Sequence, residues 1–190
     1  MGDAAKDRAK AAQLPEGDVI RTLLEQHARL RELFKDVQTA GGEHKQQAFD
    51  ELRALLAVHE TAEEMILRPV SRDTAGAAVA DARNQEEAEA NKVLSELEGM
   101  EMGSPQFTET LSALEQAVSE HAEKEESEEF PQILADCDVD QRVSMGSRLR
   151  KAESIAPTHP HPAAAGSTAA QWVVGPFASL VDRTRDALKG

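Results

Sequence analysis

Tyrosine is absent from the 190 residues, and tryptophan and cysteine occur once each, as Trp172 and Cys137. Without tyrosine, neither a phenolate metal ligand nor a tyrosyl radical is available, and a single cysteine cannot close an internal disulfide. No apolar run approaches the roughly 20 residues that cross a bilayer, and Met1 to Lys6 lack the apolar core of a signal peptide, so the expected compartment is the cytoplasm. Basic residues are in deficit, 21 against 35 acidic, for a formal net charge of −14. That balance repels phosphate backbones and anionic membrane surfaces, and no basic stripe offsets it locally, so neither nucleic acid nor membrane is an expected partner. Phosphate-binding glycine motifs and catalytic dyads are missing, which leaves nucleotide-dependent and hydrolase chemistry without support. Strand-like alternation of β-branched and aromatic residues appears nowhere, and the expected fold class is all-α.

What is present is one pattern written twice, His59-Glu60-Thr61-Ala62-Glu63-Glu64-Met65-Ile66-Leu67-Arg68-Pro69 and His121-Ala122-Glu123-Lys124-Glu125-Glu126-Ser127-Glu128-Glu129-Phe130-Pro131, or His-x3-Glu-Glu-x4-Pro. Four residues of helix advance by about 400° and about 6 Å, so a His and a Glu at that spacing stand one above the other on one face. Imidazole nitrogen with carboxylate oxygen suits iron, manganese or zinc, and two such helices facing each other can build a two-metal centre inside a bundle.

The length suits one well-buried domain with tails. Residues 1–14 read as a flexible leader. After Pro15-Glu16-Gly17-Asp18 a helix carries Ile20, Leu23, Leu24, His27, Leu30, Phe34 and Val37 at helical spacing. Gly41-Gly42 ends it. A second helix presents Phe49, Leu52, Leu56, His59, Glu63 and Ile66 on one face, up to a polar turn expected around Ser71-Arg72-Asp73. A third, from about Ala75 to Met100, turns Val79, Arg83 or Asn84, Glu87, Ala90, Leu94 and Leu97 inward. Ser104-Pro105 is a start signal for the fourth, which bears Phe107, Leu111, Leu114, Val118, His121 and Glu125 and should kink near Pro131. A further helix runs to Ile155 and completes a domain over residues 15–155. Residues 156–174 form a Pro/Ala-rich linker, and residues 175–190 an amphipathic helix suited to docking on the bundle or on a second copy as a homodimer. His44 in the first turn of helix two, and His159 and His161 in the linker, are expected to lie apart from the site.

Four successive helices thus each place a metal-competent residue on the apolar stripe: His27; His59 with Glu63; Glu87; and His121 with Glu125. Buried and unpaired, each carboxylate costs several kcal/mol, more than a domain with about 5–15 kcal/mol of net stability carries three times over. Bound cations would offset that cost. In the competing arrangement the helices are rotated by a third of a turn, the glutamates reach water, and the chain is a metal-free helical interaction module.

At these residues the chain resembles the hemerythrin family in its short bacterial HHE form, from about Asp18 to Leu134, and the ending Ala156-Pro157-Thr158-His159-Pro160-His161-Pro162 is similar to that of actinobacterial members. The resemblance implies an up-and-down four-helix bundle, here with additional C-terminal helices, holding two iron ions bridged by oxo and carboxylate groups. His27, His59 and His121 would be terminal ligands and Glu63 and Glu125 bridges. Glu87 stands where members usually place a His, and Glu60 is a further candidate, whereas Glu64 and Glu126 are expected to face solvent. Dioxygen, peroxide or nitric oxide would be the small-molecule ligand. Extra carboxylates favour the ferric state, hence oxygen or peroxide reactivity, catalase-like if enzymatic, over reversible carriage. A ferroxidase or iron-storage bundle is the remaining alternative, but such sites carry Glu-x-x-His, and both repeats here run His-x3-Glu.

Overall fold

The structure, a computed structural model, describes residues 2–161, and among these every regular element is helical. In chain order they are α1 (Ala4–Ala11), α2 (Val19–Thr39), α3 (Gly42–Ala62), a π turn π1 (Glu63–Leu67), α4 (Arg68–Thr74), α5 (Ala77–Glu98), α6 (Pro105–Lys124), π2 (Glu125–Glu129), α7 (Phe130–Asp136) and α8 (Val139–Ile155). Joined end to end, α3-π1-α4 and α6-π2-α7 each make one long rod. With α2 and α5 they form the four members of an up-and-down bundle, whose short connections force successive members to run antiparallel. The fold is all-α, as the missing strand pattern predicts.

Local chemistry sets the ends. Asp18 caps α2 by accepting from the Ile20 N–H at 2.9 Å, and Ser104 caps α6 by accepting from Phe107 at 3.1 Å. Asp138 and Gln141 form a reciprocal capping box at the start of α8. The turn expected at Ser71 to Asp73 comes later: α4 continues through Thr74 with Ser71 buried, and the chain reverses at Ala75 and at Gly76, whose φ of 101° favours glycine.

Both π turns lie just before a proline. A proline in a helix cannot donate to the carbonyl four residues back and collides with it; here those carbonyls belong to Met65 and Ser127. The chain takes up the strain by adding a residue to the turn, so that Arg68 N–H donates to Glu63 O and Phe130 N–H to Glu125 O, five residues back. The kink expected at Pro131 is therefore a π bulge, and Pro69 has its counterpart.

The apolar core falls into two clusters. One gathers Ile20, Leu23, Leu24, Met65, Ile66, Leu67, Phe130 and Ile133 with Met145 and Leu149 of α8. The other gathers Leu30, Phe34, Phe49, Leu52, Leu56, Leu94, Leu97, Phe107, Leu111 and Leu114. In sequence, His27 falls between Leu24 and Leu30 and His59 between Leu56 and Met65, so the polar residues form a belt separating two apolar halves.

Residues 1–14 differ from the expected leader. α1 packs on α2 with Asp7 and Ala11 buried, through Arg31 Nε to Asp7 at 2.8 Å and Arg8 to Glu32 at 2.8 Å, and reaches π2 through Lys10 to Glu126 at 2.5 Å. An ion-paired helix of small residues leaves no apolar stripe to find in the sequence. Residues 156–161 also depart from an exposed linker, since His159 is buried and its Nδ1 pairs with Glu98. The remainder of the linker and the expected helix at 175–190 lie outside the described residues. Among the described residues, no helix is long and apolar enough to cross a membrane.

Candidate metal centre

The belt concentrates ionisable groups at the π turns. His27 comes from α2, His59 from the last turn of α3, Glu63 from the first residue of π1, Glu87 from α5, His121 from the last turn of α6, and Glu125 from the first residue of π2. All are buried, Glu63 and Glu125 completely. Two groups of potential ligands form, His27-His59-Glu63-Glu125 and Glu63-Glu87-His121-Glu125, each with its ligand atoms within 4.8 Å of one another. Glu63 and Glu125 belong to both. Glu60 is buried but lies outside both groups, bonded to the Asn91 amide, and His44 is exposed in the first turn of α3, at the opposite end of that helix from His59.

Each histidine is aimed by a support on its outer nitrogen. His27 Nδ1 is 3.3 Å from Glu126 Oε1, His59 Nδ1 2.8 Å from Gln26 Oε1, and His121 Nδ1 3.0 Å from Glu86 Oε2. The Gln26 amide is oriented by its own NH2 group, which donates to Glu153 at 2.6 Å. All three partners are oxygen acceptors, so Nδ1 is held as a donor in each ring and Nε2 is turned inward, the orientation a metal-ligating imidazole takes.

Those inner nitrogens face carboxylate oxygens: His27 Nε2 to Glu125 Oε2, His59 Nε2 to Glu63 Oε2, and His121 Nε2 to Glu125 Oε1, each at 3.3 Å. Two ligands bound to one ion at about 2.1 Å with tetrahedral or octahedral angles lie about 3.0–3.4 Å apart, so the spacing fits a shared cation. Neither His27 Nε2, His121 Nε2, either oxygen of Glu63, Glu87 Oε2 nor Glu125 Oε2 has a hydrogen-bond partner among the described residues. Unsatisfied buried polar atoms are expensive, and six converging on one place match the donor set of a hard or borderline metal ion.

Without a cation the site holds protons instead. Burial, reinforced by the Glu125 charge, raises the Glu63 carboxyl well above the ordinary carboxylate range. Burial also pushes Glu125 upward, but His121 and Arg68 outweigh it and hold the group well below that range. This is the division expected of two acids too close for both to ionise. Burial pushes Glu87 up to about 7 and Glu60 well above its normal value. His27 and His121 are raised, because adjacent glutamates overcome their desolvation, whereas burial and the neighbouring His27 leave His59 well below its normal value.

Several participants are not visible in the motif. Arg68, 2% exposed, sends its guanidinium into the acidic cluster, with Nη2 2.5 Å from Glu87 Oε1 and bonded to Glu125 Oε1, and Nη1 2.5 Å from Glu129 Oε2. Glu64 and Glu126 do not face solvent as expected: Glu64 is buried, and Glu126 supports His27 while pairing with Lys10. The extra residue of each π turn widens the arc facing inward, so a straight helical period misplaces the second glutamate of each pair.

A cavity of about 650 Å³ reaches the belt between α2, α5 and α6. Leu30, Phe34, Leu56, Val93 and Val118 line its apolar wall, and His27, His59, Glu60, Glu87 and His121 border its inner end. Charged side chains, among them Arg31, Lys35, Glu89, Glu115 and Lys124, line the rest of it.

Comparison with known proteins agrees with this construction. The family model described as the hemerythrin HHE cation binding domain matches residues 18–133. An uncharacterized hemerythrin-like protein of Schizosaccharomyces pombe is 24% identical over 137 residues, covering 70% of this chain and 68% of that protein. A protein named DNA nickase from Nostoc is 24% identical over 155 residues, covering 81% of this chain but only 43% of its own length. No solved structure matches. With α2 to α6, both π turns and the start of α7 inside the matched span, and both ligand groups within it, the chain belongs to the hemerythrin HHE cation-binding family.

Proposed function

We propose that this protein is a non-haem di-iron hemerythrin that binds or reacts with dioxygen, peroxide or nitric oxide. The observation that carries the reading is the sharing of Glu63 and Glu125 between two buried His/Glu groups whose inward atoms lack hydrogen bonds. Glu63 and Glu125 would be held in common by two ions, the kind of two-metal centre that such sharing suits. His27 and His59 would serve one ion, His121 and Glu87 the other. Bound iron would supply electrons to the oxidant or a coordination position for the gas.

The chain's own residues do the rest. Gln26, Glu86 and Glu126 hold the imidazoles with Nε2 turned inward, and the apolar wall of the cavity suits an uncharged diatomic or hydrogen peroxide. The carboxylate-rich set supports oxygen or peroxide chemistry over reversible carriage.

Metal analysis of protein purified from iron-replete cells tests the reading. About two irons per chain with an oxo-to-iron absorption band is the expected result. Less than a tenth of an equivalent of any transition metal after anaerobic ferrous loading would overturn it. Peroxide or nitric oxide consumption by the loaded protein then separates a reacting from a merely binding site.

A further inference from the structure

The two ligand groups are unequal, and Arg68 makes them so. In the His27-His59 group, His27 Nε2, Glu125 Oε2 and both Glu63 oxygens are free of hydrogen bonds. In the His121-Glu87 group His121 Nε2 and Glu87 Oε2 are likewise without a hydrogen bond among the described residues, but the guanidinium occupies one oxygen each of Glu87 and Glu125. Glu87 Oε1 accepts from Arg68 Nη2 at 2.5 Å and Nε at 3.1 Å, Glu125 Oε1 accepts from Nη2, and Glu63 Oε2 is 3.6 Å from Nη2. Among the described residues no arginine or lysine bonds the two histidines' side of the first group: His27 and His59 pack edge to face, with Phe130 stacked on the His27 ring at 5.8 Å.

Resting on the di-iron reading, we infer that the centre loads in sequence: the His27-His59 position fills first, and Arg68 acts as a built-in cation at the second position, weakening the ion held by His121 and Glu87. A dication entering there must displace charge-assisted hydrogen bonds from Glu87 and Glu125, or share those oxygens with a fixed positive charge that arginine cannot shed by deprotonation. Arg68 is a positioning residue that grades the affinity of the two metal positions. It also explains how the metal-free chain tolerates its carboxylates: Glu87, Glu125 and Glu129 all pair with one guanidinium.

Titration of the metal-free protein with cobalt(II), followed by visible absorption and calorimetry, tests the inference without recourse to activity. The expected result is one tight equivalent followed by a second bound at least tenfold more weakly. In Arg68→Met the second step should tighten at least tenfold and approach the first. Should that variant fail to fold with its carboxylates unpaired, Arg68→Lys keeps the charge but gives up the planar fork, and its second step should tighten by at least threefold. Two equivalents of equal affinity in the unmodified protein, or a second step unmoved in the folded variant, would overturn the inference and leave the di-iron reading standing. No cobalt bound at all would overturn both.

Discussion

Glu63 and Glu125 are structural counterparts: each opens a π turn, each lies four residues after a buried histidine and six before a proline, and each contributes to both ligand groups. Their surroundings nevertheless differ. Glu125 Oε1 accepts from Arg68 and its other oxygen faces His27, whereas neither Glu63 oxygen has a hydrogen bond.

Substituting either should abolish metal binding, yet the effects on the iron-free protein should be opposite. Glu63→Leu removes an unsatisfied buried acid and should raise iron-free stability, on the order of 1–3 kcal/mol. Glu125→Leu removes an acceptor of Arg68 and the inner partner of His27 and His121, though Arg68 keeps Glu87 and Glu129 and His121 keeps Glu86, and should lower it by about 1–3 kcal/mol. Urea denaturation of the three metal-free proteins checks this, and equal shifts would count against the assigned pairing.

The iron-free protein should be more stable at pH 5.5 than at pH 7.5. Glu87 is pushed up to about 7 by burial, and Glu60 and Glu63 are raised as well. Between the unfolded value near 4.5 and about 7 the folded chain holds more protons on these acids, so stability falls as pH rises through that window. The raised His27 and His121 act in the same direction; His59 opposes, and the lowered Glu86, Glu125 and Glu126 oppose mainly near and below pH 4.5, under the window compared. Iron loading should reverse the trend, because binding displaces those protons and strengthens with pH. Melting temperatures at the two pH values, with and without iron, provide the measurement.

Gln26→Leu should weaken metal binding by about 10- to 100-fold through loss of the His59 Nδ1 acceptor. His44→Ala, on an exposed first turn, should leave it unchanged. Competition with a chromophoric chelator reads both, and a loss in the His44 variant would mean that the ligating histidines are wrongly identified.

Gly146→Ala should destabilise the fold by about 1–3 kcal/mol. A Cβ at this position of α8 would stand 2.0 Å from the Gly17 carbonyl oxygen, a backbone atom that cannot swing away. Beside it, Arg142 Nε reaches the Asp18 carboxylate at 2.8 Å, so the start of α2 and α8 are held as one piece. Thermal melts with iron content held equal isolate the effect.

Much of this architecture is legible in the residue order, for physical reasons. The apolar stripes, Asp18 and Ser104 as caps, and the paired His-x3-Glu spacings are local signals, and the helices follow them closely. Arg68 is not legible, because an arginine beside Pro69 reads as a helix end in water; only the closing of four helices puts it among acids. Glu126 is hidden by the π turn, which breaks the period by one residue. α1 is hidden because it docks by ion pairs, with no apolar stripe to betray it. Val79 is half-buried, and Ala80 takes the inward place in α5, since the alanine-rich start of that helix leaves its phase poorly marked.

The attachment of α1 bears on how the protein should be handled. Lys10 pairs with Glu126, the acid that steadies His27, and Asp7 pairs with Arg31, whose other arm donates to Ser119. A truncated form starting at Asp18, where the family match begins, would lose both contacts and let water reach the back of one ligand. Such a shortened protein should retain iron less well than the intact chain, and equal retention on dialysis would show that the N-terminal helix is dispensable.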